Sequence, residues 1–391
     1  MKQLLIASLF ICIIFSQCEE IETLPTNTYD IAAAFNDSSD VHPEASTYQS
    51  ILDRHQQQGL VGATLLVKDR NGLWIGASGY ADIANDAKMG SHSLYFIASI
   101  SKVFTSAAIY RYIDQGLISP DDQIAQYLPE EVAEKVDNVK NATIAHLLSH
   151  RSGIRDFYTT KFDLDRINAD HDWRKEDVLK YAYNLKANFA VDEGYEYSNT
   201  NFLLLSMILE RVSGQSFEQV YQETVFQPLN LTSAYYSEEV IIPDAAVKGY
   251  VDLYDNETFV ESRHLYLDEL GIGGDGGVAI NAYDLAVFLE NMVNDDFISQ
   301  TSQEQMTSWF PIEGDMDTFS QTENGYGIER FNTAYESAIG HTGGIDGFTT
   351  FGFYFPQSDM TYILLCNTAD ASKGDLYESL FGEVLDIMFQ P

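Results

Sequence analysis

Three cysteines in 391 residues leave little material for a covalent scaffold. Cys12 falls within an apolar N-terminal run, Cys18 follows that run, and Cys366 stands alone in Ile363-Leu364-Leu365-Cys366. If Cys18 is consumed by lipidation no internal disulfide can form, so burial must hold the core together. A lone Cys366 in such a run reads as inert packing rather than as a nucleophile. Basic residues are scarce as well: 22 Lys and Arg stand against 59 Asp and Glu, a formal charge of -37. A polyanion of that size is repelled by phosphate backbones and anionic lipid surfaces, which argues against nucleic acid and membrane-surface binding. The acidic excess names no substrate and fits solubility in a salty medium, where screening makes self-repulsion tolerable. A long apolar run is also missing. Leu4 to Phe15 is far short of the ~20 residues that a spanning helix needs. Behind Met1-Lys2-Gln3 it fits the core of a signal peptide, which predicts export to the periplasm or cell envelope.

What is present is enough apolar surface for a large core, with hydrophobic residues at 45% and aromatics at 13%. Cys18 directly follows Phe15-Ser16-Gln17 and resembles a lipoprotein cleavage site, although Gln17 departs from the small residue usual there. Residues 1–18 are therefore expected to be a signal peptide, and membrane attachment is expected only through a lipidated Cys18. Residues 19–44, rich in Glu, Thr, Asn, Asp and Pro, read as a solvated flexible tether. Residues 45–391 read as one folded domain.

Within that domain Leu60 to Lys68 alternates as a strand, Asn71-Gly72 suits a two-residue turn, and Leu73 to Tyr80 returns as its partner. Ser99 to Gln115 places Val103, Ala107, Tyr110 and Ile113 at helical spacing, and Gly116 supplies a left-handed stop. Helices also read from Thr143 to His150, from Asn201 to Val212, and from Ser216, where Ser-Phe-Glu-Gln forms a capping box. Phe348 to Phe355 and Met360 to Asn367 flank the turn Pro356-Gln357-Ser358-Asp359, and an amphipathic helix runs from Asp375 to Phe389. Strands at both ends with helices between predict an α+β fold: one antiparallel sheet built from both termini, flanked by helices, with a mainly helical insertion and a cleft where they meet.

Three short segments carry chemistry. Ser99-Ile100-Ser101-Lys102 sets a hydroxyl and an amine three residues apart on one helical face, at a helix start where free N–H groups favour a developing anion. Tyr197-Ser198-Asn199 supplies a phenol and an amide just before an apolar helix. Tyr254-Asp255-Asn256 has the same pattern but reads as a hairpin turn, a chance copy. His341-Thr342-Gly343-Gly344 precedes the Phe348 strand, where glycines let a substrate backbone approach and Thr and His offer donors. Each spacing is common alone.

Two other patterns are set aside. His146 and His150 have the i,i+4 spacing of metal ligands, but no Glu follows His146 as zinc proteases require. Gly271-Ile272-Gly273-Gly274-Asp275-Gly276 formally fits a dinucleotide fingerprint, yet no parallel strand-loop-helix unit surrounds it, so it reads as a flexible loop beside the cleft. No Gly-x-Ser-x-Gly elbow occurs. No metal and no cofactor is expected.

In order along the chain, Ser-x-x-Lys, Tyr-x-Asn and His-Thr-Gly resemble the three signatures of the serine beta-lactamase and penicillin-binding protein superfamily, and the chain is similar to its class C-like branch over nearly all of 45–391. Phe96-Ile97-Ala98-Ser99, His146 to Gly153, Gly194-Tyr195 and Gly340-His341-Thr342-Gly343-Gly344 add to the likeness. The resemblance implies an acyl-enzyme on Ser99, with Lys102 or Tyr197 moving its proton and the N–H groups of Ser99 and Gly344 holding the oxyanion. It implies that Asn199 holds Lys102 and binds the acyl-side amide, while Thr342 and His341 face the leaving group. Family relatives include carboxypeptidases, D-aminopeptidases and esterases, so the expected substrate is a small-molecule or peptide ester, D-amino-acid amide or beta-lactam. A Lys-to-His change at 341 offers a substrate carboxylate little positive charge at neutral pH, which argues against true beta-lactamase activity. A non-catalytic penicillin-binding or envelope scaffold protein is the rival reading, opposed by the intact Ser99, Lys102, Tyr197 and Asn199.

Overall fold

The computed structural model describes residues 26–27, 39–168, 173–237, 242–243, 246–253, 256, 258–263, 273–294, 297–312 and 321–390. The expected signal segment with Cys12 and Cys18, Tyr254-Asp255 and Gly271-Ile272 lie outside the described residues. A first helix, α1 (Ala45–Gln56), leads into strands β1 (Gly62–Asp69), β2 (Gly72–Asp82) and β3 (Ala87–Lys88). The middle of the chain contributes α2 (Ser101–Asp114), α3 (Ile144–Leu148), α4 (Asn199–Ser213), α5 (Phe217–Tyr221) and α6 (Ala282–Asn294). Strands then resume as β4 (Phe310–Pro311), β5 (Gln321–Asn324), β6 (Glu329–Phe331), β7 (Ala338–Ile345), β8 (Phe348–Phe355) and β9 (Met360–Cys366), before the closing helix α7 (Gly374–Met388).

These strands form one nine-stranded sheet in the order β4-β5-β6-β7-β8-β9-β1-β2-β3, every neighbouring pair antiparallel. The two ends of the chain meet inside it, where Leu364 of β9 pairs with Leu65 of β1. This is the expected α+β arrangement. Side chains alternate across the two central strands. Leu65, Val67, Tyr362 and Leu364 face α1 and α7, where Tyr48, Leu52, Phe381 and Val384 close one core. Leu66, Ile363 and Leu365 face the opposite way into a larger core with α2, α4 and α6, where Phe104 stacks on Phe288 at 3.6 Å between ring centroids. Both faces being covered explains why Met360–Cys366 is apolar at nearly every position rather than alternating. Each fully buried Leu or Ile contributes about 1.5–3 kcal/mol from removal of apolar surface from water. Cys366 is fully buried in this strand, and burial pushes its thiol up, away from the reactive thiolate.

Several boundaries move for local reasons. Register pairs Asp69 with Gly72, so the hairpin turn is Arg70-Asn71, one residue earlier than expected; Gly72 takes φ +126° and Asp69 Oδ1 accepts the Asn71 N–H at 2.7 Å. The expected helix from Thr143 is shorter because Thr143 is its N-cap, with His146 completing the capping box. α4 starts two residues earlier than expected, which places Asn199 in its first turn, and it ends at Gly214 in the left-handed conformation. The expected tether is too long at its C-terminal end. Ser39 donates no part of a solvated linker: its Oγ accepts the Ile75 N–H at 2.8 Å, and buried His42 lies 3.0 Å from Asp69. Earlier in the same stretch, Thr26–Asn27 pairs in parallel with Ile242–Pro243.

Candidate active site

Ser99 stands in a one-turn 3-10 segment, Ala98–Ile100, that runs directly into α2. Ala98 before it has φ +48°, a conformation that costs about 1 kcal/mol or more for a residue with a Cβ. At this helix start the first N–H groups have no intrahelical acceptor. α2 itself is buried on almost every side, which fixes the direction in which the turn points.

The segment is pinned to the sheet by a glycine. A Cβ on Gly343 would lie 2.2 Å from the Ile97 carbonyl oxygen and 2.4 Å from Thr350 Oγ1, and Thr350 Oγ1 donates to that same carbonyl at 3.0 Å. The space on the Cβ side of Gly343 is thus occupied by the backbone preceding Ser99, while the residue still borders a cleft. Gly344 has open space around it and borders the cleft with Ser99.

Lys102 is fully buried, and its Nζ donates to Ser99 Oγ at 3.1 Å and to the Asp275 carbonyl at 2.7 Å. Burial pushes its ammonium down to about 8, opposed by the nearby carboxyls of Asp275, Asp156 and Glu329. Nζ lies 5.0 Å from the Tyr197 ring centroid. Tyr197 turns a buried hydroxyl towards Ser99 without reaching hydrogen-bonding geometry with any described group. Desolvation raises that phenol well above its ordinary value, so it keeps its proton at neutral pH.

Asn199 does not bond Lys102, contrary to expectation. Its backbone N–H and its Nδ2 both donate to Asp156 Oδ2, at 3.1 and 2.9 Å, so the Asp275 carbonyl takes the place expected of Asn199. Asn199 lines the larger cleft with its Nδ2 engaged by Asp156. Asp156, raised by burial, is a site residue that no motif in the sequence marks.

His150 belongs to the site in a way the metal-like spacing hides. Its ring stacks on Tyr197 at 4.5 Å, its Nδ1 accepts the Ser198 N–H at 3.1 Å, and its carbonyl accepts the Glu196 N–H at 3.1 Å. It clamps the segment carrying Tyr197 from both sides of that residue. His146 instead caps α3, and no group of His, Cys, Asp or Glu among the described residues is arranged to hold a metal. The glycine loop lies where expected beside the cleft: Gly274 carbonyl accepts from Thr105 Oγ1 at 2.6 Å, and Asp275 and Gly276 line the opening.

Two clefts meet at Ser99. One, of about 770 Å³, is lined by Phe157, Tyr158, Arg166, Asn199, Asp275 and Asp346. The other, of about 710 Å³, is lined by Tyr195, Gln321, Glu329, His341, Thr342 and Gly343. Ser99, Tyr197, Gly344 and Thr349 border both. In the second cleft His341 is only 4% exposed. Its Nδ1 lies 2.5 Å from the Thr342 carbonyl oxygen and its Nε2 lies 3.3 Å from Glu329 Oε1. Burial pushes His341 down to about 3 and Glu329 up to about 8, each towards its uncharged form. Half-buried Thr342 offers the hydroxyl in this wall.

A family model described as beta-lactamase matches residues 47–381. A penicillin-binding protein of Bacillus subtilis is 28% identical over 88% of this chain and 77% of its own length. A D-aminopeptidase of Cereibacter sphaeroides is 24% identical over 83% of this chain, which spans 60% of that relative. Among solved structures, the D-amino acid amidase from Ochrobactrum anthropi SV3 superposes with a TM-score of 0.77 at 21% identity, covering 88% of this chain and 98% of the amidase. The penicillin binding protein from Bacillus halodurans gives 0.71 at 23% identity, with 87% and 98% covered. At these identities the structural likeness speaks for the fold.

Proposed function

The chain belongs to the beta-lactamase family, and from that premise we propose that it is an exported serine hydrolase that cleaves esters or amides with uncharged leaving groups through an acyl-enzyme on Ser99. The observation that carries this reading is the 3.1 Å contact between Ser99 Oγ and the buried Lys102 amine at the junction of two clefts. Ser99 Oγ attacks the substrate carbonyl while its proton passes to neutral Lys102. The carbonyl electrons move onto oxygen, where the N–H groups of Ser99 and Gly344 receive them; each such donor is worth about 3 kcal/mol of barrier. Collapse breaks the bond to the leaving group, which takes the proton back from Lys102. Water then attacks the acyl carbonyl and the same proton path runs again.

Lys102 rather than Tyr197 serves as the base, because burial pushes the amine towards its neutral form and the phenol away from its ionised form. Tyr197, beside both Ser99 and Lys102, orients the proton path. The large acyl-side cleft, walled by Phe157, Tyr158 and Asn199, accepts the acyl side chain. The other cleft has no Lys or Arg among its described lining residues, so a leaving group bearing a carboxylate finds no cation among them. D-amino-acid amides and simple esters therefore rank above D-alanyl-D-alanine peptides and cephalosporins.

The test compares kcat/KM for nitrophenyl butyrate, a D-amino-acid amide, a D-alanyl-D-alanine peptide and a chromogenic cephalosporin, with intact-protein mass spectrometry to find the acyl adduct. A dominant cephalosporin rate would sink the substrate assignment, and failure of folded protein to acylate with any of the four would favour a scaffold. Export with a lipid on Cys18 is read from the mass of the mature N-terminus in a membrane fraction.

A further inference from the structure

Glu329 carries no motif and has no role in the reaction just described, yet it is 5% exposed and lies against His341 beside the proton-handling groups. β6 sets it opposite Gly340, one residue before His341. Its neighbour Arg330 points to the other face of the strand, where it pairs with Glu323 at 2.9 Å, so that cation does not serve Glu329.

The contact of His341 Nδ1 fixes one hydrogen, and the burial of both His341 and Glu329 favours the neutral ring over a desolvated ion pair. Nδ1 lies 2.5 Å from a backbone carbonyl, which can only accept, so Nδ1 bears the hydrogen. In a neutral ring Nε2 is then a bare acceptor. An ionised carboxylate 3.3 Å away would set lone pair against lone pair, whereas a carboxylic acid would donate. We propose that Glu329 is a positioning residue acting as a neutral acid, its protonated carboxyl donating to His341 Nε2, holding the Nδ1–H tautomer beside Tyr197 and keeping the leaving-group cleft free of formal charge. The catalytic consequence rests on the hydrolase reading; the proton on Glu329 does not.

The titratable groups facing Glu329 are His341 on β7, Lys102 on α2, and Tyr195 and Tyr197 from the segment leading into α4. Burial pushes Glu329 up to about 8, with Lys102 pulling the other way. Two groups thus titrate near one pH with opposite requirements. Lys102 must lose its proton to act as a base, so activity rises with pH; Glu329 must keep its own, so activity falls as pH rises further. The resulting bell belongs to the coupled pair.

The test combines a pH-rate profile with an infrared measurement. In E329Q the carboxamide N–H replaces the acid as donor, and the rate with nitrophenyl butyrate should climb to an alkaline plateau instead of falling. E329A removes the donor and should lose about tenfold at the optimum. Infrared difference spectra of the wild type should show a carboxylic-acid carbonyl band at pH 7 that bleaches near pH 8 and is missing from E329Q. An alkaline fall shared by wild type and E329Q overturns the proposal, and so does the absence of an acid band at pH 7. Should E329Q not fold, E329A serves as the control from which the band must be missing. Should the protein hydrolyse nothing, the hydrolase reading fails while the band continues to report the Glu329 proton.

Discussion

On one side of Ser99 the cleft wall carries Asp275, Asp346, Asp370 and Arg166, while on the other Glu329 and His341 supply the ionisable side chains beside Tyr195 and Tyr197. Part of the first set keeps partners and water: Arg166 donates to Asp163 at 3.2 Å and to Asp346 at 3.0 Å, and Asp346 is partly exposed, whereas burial raises Asp275 to about 6. The second set is buried, and there an acid and a base next to each other are cheaper uncharged than as an ion pair. Residue types alone would suggest an ion pair in the second cleft. The difference shows that charge in a cleft depends on how much water and how many partners each group keeps.

The sharpest way to break this comparison is to silence what the clefts share. Ser99→Ala removes the attacking oxygen for every substrate and should lower kcat by about 10⁴-fold or more, with no acyl adduct by mass spectrometry. A smaller effect lies behind the second cleft. His150→Phe keeps a ring under Tyr197 but leaves the buried Ser198 N–H without its acceptor; urea denaturation should report a loss of about 1–3 kcal/mol. The mildest change makes the second cleft more like the first. His341→Lys adds a cation where a leaving-group carboxylate would sit. It should raise the kcat/KM ratio of cephalosporin to nitrophenyl butyrate by about tenfold, the effect of one hydrogen bond to a charged group. An unchanged ratio would show that the neutrality of this wall does not set the substrate.

Much of this was legible before any coordinates. The central hairpin, α2 with its Gly116 stop, the Ser216 capping box and the closing helix follow from local rules, since turn chemistry, spacing and caps act within a few residues. The Ser99 to Lys102 contact is also local, one helical turn. What lay hidden depends on long-range contact. Glu329 reads as an ordinary strand residue beside Arg330 until β7 brings His341 against it. The Asp275 carbonyl has no side-chain signature, and the pairing of Asn199 with Asp156 spans 43 positions of chain. His150 was visible and its metal-like spacing from His146 could be set aside, but its clamp role rests on its positive φ and its bonds to residues 196 and 198, which only the fold brings about.

The pairing of β1 with β9 has a consequence for biogenesis. A ribosome delivers the serine long before it delivers residues 360–366, so an emerging chain lacks the central ladder against which its first strands must zip. The site around Ser99 is therefore a late product of synthesis, complete only once the strands from 338 to 366 have joined the sheet.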